Sequence, residues 1–125
     1  MRSPLTARKN APRRSSEGPP AVLEIDERFA PALGGVEPGT ELIVVTWLHE
    51  GCRDVLQVHR GGDTSRPLSG VFVSRSPDRP NPIGLHHVVV TEIVAPAKVR
   101  VAAIEAIDGT PILDLKLALG SAESR

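Results

Sequence analysis

An all-β fold is what this 125-residue chain predicts, and three observations carry the prediction. Short apolar runs rich in β-branched residues recur along it, the clearest being Glu41 to His49 and Leu85 to Val94. Eleven glycines and twelve prolines cut the chain between these runs, which favours frequent turns over long helices. No glycine-rich strand-to-helix turn of the dinucleotide-binding type occurs, so a doubly wound α/β domain is not supported. The length suits one domain with a modest core.

Taken in order, residues 1–20 carry Arg2, Arg8, Lys9, Arg13 and Arg14 against the single acid Glu17 and close on Pro19-Pro20, the composition of a flexible basic arm. One domain is expected over 21–119 and a frayed tail over 120–125. Ala21 to Asp26 alternates as a short strand. Glu27 to Leu33 reads as the one short helix, with Phe29 and Leu33 on one face and Gly34-Gly35 as its stop. Pro38-Gly39 marks a turn. In the run from Glu41 to His49, Ile43, Val45 and Trp47 face one way and Leu42, Val44 and Leu48 the other. Apolar residues on both sides predict a central strand buried on both faces.

Asp54 to His59 and Gly70 to Val73 are further strand candidates around the turn Gly61-Gly62-Asp63. Leu85 to Val94 and Val99 to Ile107 read as an antiparallel hairpin about Ala95 to Lys98, with His86 and His87 on opposite sides of the first strand. Asp108-Gly109 is a turn, and Ile112 to Leu117 is the last strand. The total is about seven strands and one short helix, an architecture of all-β type.

Composition narrows the function. Fifteen basic residues balance fifteen acidic ones, so any contact with RNA must use a local patch. The aromatic side chains are Phe29, Trp47 and Phe72 alone, too few for recognition by base stacking. Cys52, the single cysteine, excludes an internal disulfide and fits a reducing compartment; it reads as a bystander. His49 and His59 lack a third ligand at zinc spacing, and no metal is expected. With no bilayer-length apolar run and no signal-peptide pattern, the expectation is a soluble cytoplasmic protein without a membrane partner.

The stretch Gly70 to His86 stands apart. Pro77, Pro80 and Pro82 fix their own φ and hold Ser76, Arg79 and Asn81 near extended geometry, so the loop should be stiff. The prolines remove three backbone donors and leave every carbonyl, while Arg75 and Arg79 supply planar donor forks for carboxylate, phosphate or a base. On residues alone, a binding loop and an ordinary turn with solvated arginines both remain open.

The string Arg75-Ser76-Pro77-Asp78-Arg79-Pro80-Asn81-Pro82-Ile83-Gly84-Leu85 resembles the signature of the TsaA-like family of tRNA methyltransferases, which use S-adenosylmethionine. Asp108-Gly109-Thr110-Pro111-Ile112-Leu113-Asp114-Leu115-Lys116 is similar to that family's downstream motif. A weaker similarity extends back through Thr46-Trp47-Leu48-His49 to Arg2-Ser3-Pro4. The resemblance implies a small β-barrel, a homodimer with the cofactor site near the subunit contact, and tRNA as partner. It implies methyl transfer to the exocyclic amino nitrogen of threonylcarbamoyladenosine beside the anticodon.

On this resemblance, Arg75, Ser76, Pro77, Arg79, Pro80, Asn81, Pro82, Ile83, Gly84 and Leu85 form one wall of a cofactor site, and Asp108 and Thr110 contribute from the other. The acceptor nitrogen sits in a urea-like group and needs a base; Asp114 and His86 are both candidates, and Lys116 suits substrate phosphate. Three departures matter. Leu117-Ala118 stands where the family has Pro-Tyr, the chain opens at Met1 without the strand that precedes Arg-Ser-Pro, and it ends without the extra domain many members carry. The first two favour, as the alternative, a non-catalytic module that binds S-adenosylmethionine or a nucleoside.

Overall fold

The computed structural model of the chain describes residues 1–3 and 18–119; most of the expected basic arm, 4–17, and the expected tail, 120–125, lie outside the described residues. Seven strands run through the described part: β1 Ala21–Glu24, β2 Glu41–Trp47, β3 Gln57–His59, β4 Leu68–Gly70, β5 Ile83–Ala95, β6 Lys98–Val101 and β7 Ile112–Leu117. Five of them make one antiparallel sheet in the order β1-β6-β5-β2-β7, and β3 pairs with β4.

β5 is the spine. Its first half pairs with β2, from Trp47 opposite Ile83 to Glu41 opposite Val89. Its second half pairs with β6, from Val90 opposite Val101 to Ala95 opposite Lys98, with two irregularities that bend it. The all-β expectation holds. Among the described residues the large sheet keeps two edges, β1 and β7, and does not close into the expected barrel.

Side-chain alternation then sets two faces. Gly84, His86, Val88 and Val90 of β5 point inward with Leu42, Val44 and Thr46 of β2; Ile83, Leu85, His87 and Val89 point outward with Ile43, Val45 and Trp47. The inner face packs on Leu23, Val99, Val101 and Ile104, all fully buried. Each such aliphatic side chain stabilises the fold by roughly 1.5–3 kcal/mol. The expectation that β2 is buried on both sides is met only within: its outer residues are half-buried.

Several boundaries differ from expectation, each for a local reason. Val71–Val73 is one turn of 3-10 helix rather than strand. Ser74 donates from both its amide and its hydroxyl to the Val71 carbonyl, which closes the turn and leaves Phe72 and Val73 exposed. Asp54 to His59 shrinks to β3, the part that finds a partner in β4. The strand expected over Val99 to Ile107 leaves the ladder after Val101, because Ile104, Ala106 and Ile107 turn into the core. Glu27–Leu33 is 3-10 helix, but Phe29 lies exposed under Arg28 while Leu33 packs on the core, so the two do not share a buried face. At the β1 edge, Arg2 bridges Val22 through two backbone bonds and Met1 is buried, so this edge is partly covered.

Candidate functional site

The proline loop lies where β5 begins, and its bonds explain its shape. Ile83 donates its amide to the Asn81 carbonyl across Pro82 at 2.7 Å, a tight three-residue turn. Leu48, just beyond β2, donates to the Pro82 carbonyl at 2.6 Å, which ties the loop exit to the sheet. Arg79 donates from Nη1 to the Ser74 and Ser76 carbonyls, and Arg75 from Nη2 to the Leu85 carbonyl. The Ser76 hydroxyl accepts from the Asp78 amide.

A second segment braces the loop from outside. The Cys52 amide donates to Asp78 Oδ1, and the Arg79 amide donates to the Cys52 carbonyl. Arg53 donates from Nε to the Pro80 carbonyl at 2.7 Å and from Nη2 to Asn81 Oδ1 at 3.2 Å, while its guanidinium lies 5.3 Å from the Trp47 ring centroid. Gly51 permits this approach: a Cβ there would stand 2.2 Å from the Pro77 carbonyl oxygen.

Together these segments frame a groove of about 430 Å³ on the outer face of the sheet, a size typical of small-molecule sites. Ile83, Leu85 and Phe72 make its apolar side; Ser74, Arg75, Arg79, Pro80 and Asn81 make its polar side. A smaller hollow of about 280 Å³ lies elsewhere, at the β1 edge between Arg2, Arg100 and Asp108.

The expected site residues therefore separate. Arg75, Arg79, Pro80, Asn81, Ile83 and Leu85 line the groove. Ser76, Pro77, Pro82 and Gly84 shape the loop and do not line it, Pro82 and Gly84 being buried. Asp114 and Lys116 sit on the outer face of β7, opposite Val45 and Ile43. Val45 also faces Leu85, so Asp114 lies two strand spacings, about 10 Å, from the groove's apolar side.

Asp108 and Thr110 are engaged elsewhere. Asp108 Oδ1 accepts from the Ser3 amide and its carboxylate is 3.7 Å from the Arg2 guanidinium; Thr110 is buried and donates to the Ile107 carbonyl. They hold the turn at Gly109, whose φ of 81° suits glycine, and do not face the groove. His86 points into the core, 3 % exposed, between Thr46 and Glu105. His87 points outward and meets Glu41 at 2.8 Å.

Sequence reading missed Arg53, Gly51, Phe72 and Glu105. Arg53 stands 27 residues before Pro80, and nothing in a strand-free stretch announces such a contact.

The chain matches the tRNA-methyltransferase O N-terminal domain over residues 1–122. It is 41% identical to a probable S-adenosyl-L-methionine-binding protein, VirR, of Rhizobium radiobacter, over 93% of this chain and 65% of that protein. It is 34% identical to the tRNA (adenine(37)-N6)-methyltransferase of Escherichia coli K12, over 76% of this chain and 43% of the enzyme. The crystal structure of TrmO from Pseudomonas aeruginosa superposes with a TM-score of 0.75 at 26% identity, covering 99% of this chain and 54% of that one. The chain thus spans about two thirds of the first relative and about half of the solved structure. A match across almost its whole length places this chain in the family of the tRNA-methyltransferase O N-terminal domain.

Proposed function

We propose that this chain binds S-adenosylmethionine in the groove under the proline loop and methylates the exocyclic amino nitrogen of threonylcarbamoyladenosine beside the tRNA anticodon. The observation that carries the reading is that the signature loop itself builds the groove, with its apolar side on Ile83 and Leu85 and its polar side on Arg75, Arg79 and Asn81. The names of the relatives point the same way: one is called an S-adenosyl-L-methionine-binding protein and another acts on adenine 37 of tRNA.

The residues fit the cofactor by kind. An apolar side suits the adenine and the methylene chain, the Asn81 amide suits the edge of a base or a ribose hydroxyl, and a guanidinium suits the terminal carboxylate. When bound, the sulfonium supplies an electrophilic methyl group. Ile83, Leu85, Asn81 and the arginines would hold the cofactor, which would give its methyl group to the acceptor nitrogen and leave as the neutral thioether. The proton on the nitrogen must leave to a base, and alignment with exclusion of water supplies most of the rate.

Of the two candidate bases, Asp114 is exposed on the same outer face as the groove while His86 is buried on the inner face, and the reading gives the role of base to Asp114. Lys116, on the same face, suits an RNA phosphate. The exposed apolar residues of the groove, Phe72, Ile83 and Leu85, suit a homodimer contact beside the cofactor. The reading places the protein in the cytoplasm, with tRNA.

Mass analysis of tRNA nucleosides from cells with and without the protein tests the proposal. The N-methylated threonylcarbamoyladenosine should vanish without it. A second reading, a non-catalytic S-adenosylmethionine-binding module, is favoured by Leu117-Ala118, where Leu117 lies exposed on the β7 edge strand. It predicts calorimetric binding of S-adenosylmethionine and an unchanged nucleoside profile.

A further inference from the structure

Beneath the groove, on the buried face of the same strand, lies a chain of polar contacts that methyl transfer does not use. Thr46 Oγ1 is 2.7 Å from His86 Nε2, and His86 Nδ1 is 2.5 Å from Glu105 Oε1. Thr46 is fully buried and His86 nearly so. With Glu105 ionised and the imidazole neutral, Nδ1 donates to Glu105 and Nε2 accepts from the Thr46 hydroxyl. This is the order of groups in a nucleophile triad, but with Thr46 at 0% exposure no substrate can reach the hydroxyl.

What the chain of contacts does reach is three segments. Thr46 is on β2, His86 follows the loop exit on β5, and Glu105 leads into the Asp108 to Lys116 motif. Two backbone bonds beside it join the same parts: the Trp47 amide donates to the Pro111 carbonyl at 3.0 Å, and the Leu48 amide to the Pro82 carbonyl at 2.6 Å. Gly84, opposite Thr46 in the ladder, makes the room, since a Cβ there would meet both Thr46 Oγ1 and His86 Nε2 within 2.7 Å.

We infer that His86 is a positioning residue: with Thr46 and Glu105 it locks the proline loop and the downstream motif to the end of β2, so that the groove and the strand carrying Asp114 move as one body. A buried polar chain of this kind specifies one arrangement because each member is costly to leave without its partner. The inference concerns the frame of the groove and stands whatever ligand fills it.

Hydrogen exchange on the full chain tests it with Thr46→Val, which keeps nearly the same shape and deletes the hydroxyl. The amides of Trp47, Leu48 and Ile83, which report the Pro111, Pro82 and Asn81 bonds, should exchange roughly tenfold faster, the size of one lost buried hydrogen bond. The β1–β6 ladder around Leu23 and Val99 should stay as protected as before, and Thr46→Ser should restore the pattern. Glu105→Gln, with a neutral contact in place of a charge-assisted one, should give the same selective pattern more weakly and carries the test should Thr46→Val not fold. Equal acceleration in the β1–β6 ladder would reduce the chain of contacts to general stability and overturn the inference; so would unchanged exchange at the three amides. Calorimetry with S-adenosylhomocysteine on the same proteins separates the two proposals, because a wild type that does not bind it sinks the cofactor reading while exchange still decides the positioning.

Discussion

Replacing Gly84 by alanine adds one methyl group at the most crowded point of the fold. Its Cβ would stand 2.6 Å from Thr46 Oγ1, 2.7 Å from His86 Nε2 and 3.1 Å from Leu48 Cδ2. Two of these are the partners of a buried hydrogen bond, and both belong to side chains packed in the core. Forcing a methyl into such a site costs about 1–3 kcal/mol in strain. Separating the hydroxyl from the imidazole adds roughly 1–3 kcal/mol for the polar groups left without partners. The sum, about 2–6 kcal/mol, is a large part of the roughly 5–15 kcal/mol that holds a domain together. In urea, with a slope of about 1–3 kcal/mol per molar, the unfolding midpoint should fall by on the order of 1–3 M. Gly70→Ala is the control: nothing lies within 4 Å of its added Cβ and its φ of −61° is ordinary, so it should be neutral or stabilise by up to ~1 kcal/mol. A Gly84→Ala midpoint equal to that of the wild type would refute the packing assigned to Thr46 and His86.

Three further outcomes are expected. Arg53→Ala removes the bonds to Pro80 and Asn81 and should weaken S-adenosylhomocysteine binding about tenfold by calorimetry, the size of one charged hydrogen bond; Arg53→Lys, which lacks the planar fork, should recover only part of it. Asp114→Asn should lower kcat by roughly 100-fold or more with little change in cofactor affinity if it takes the acceptor proton, and equal losses in both would remove that role. Asp63 has its carboxyl held below the ordinary range by the Ser65 hydroxyl and then the Ser65 amide. Its folded pKa is depressed, so its contribution is present above the unfolded value of 3.8 and is lost as pH falls through the lower folded value; in a carbon NMR titration, Ser65→Ala should return it toward 3.8.

The parts of the fold that could be read from sequence are those where one local signal decides. β2, the hairpin of β5 and β6, and β7 follow from alternation and β-branched content, and the turns at Gly39, Gly61 and Gly109 carry positive φ where glycine stood in the sequence. Val71–Val73 was not legible, because an apolar triplet looks the same in a strand and in a turn whose capping hydroxyl comes from Ser74. The groove's near wall could be read because its residues are contiguous. Its brace could not: Arg53 and Trp47 meet the loop only through the pairing of β2 with β5. His86 could be singled out as a polar residue opening a strand, yet the side it faces depends on register, and a shift of one residue would have placed it in the groove.

The loop's stiffness has a second source besides its prolines, and this changes what its arginines mean. Three prolines leave a surplus of carbonyl acceptors, which in a solvated turn would bind water. Here Arg79 takes the Ser74 and Ser76 carbonyls, Arg75 takes that of Leu85, Arg53 takes that of Pro80, and the Leu48 amide takes that of Pro82. Guanidinium groups that the sequence offers as ligand donors are thus partners of their own loop first, although five donors on each leave capacity for a carboxylate as well. Because two of the four donating residues, Arg53 and Leu48, come from outside the loop, its conformation is fixed before any ligand arrives, and little ordering entropy is lost on binding. It follows that replacing Arg79 alters the groove's shape and its ligand contacts together, whereas Arg53, which does not line the groove, alters the shape alone and is the cleaner probe of preorganisation.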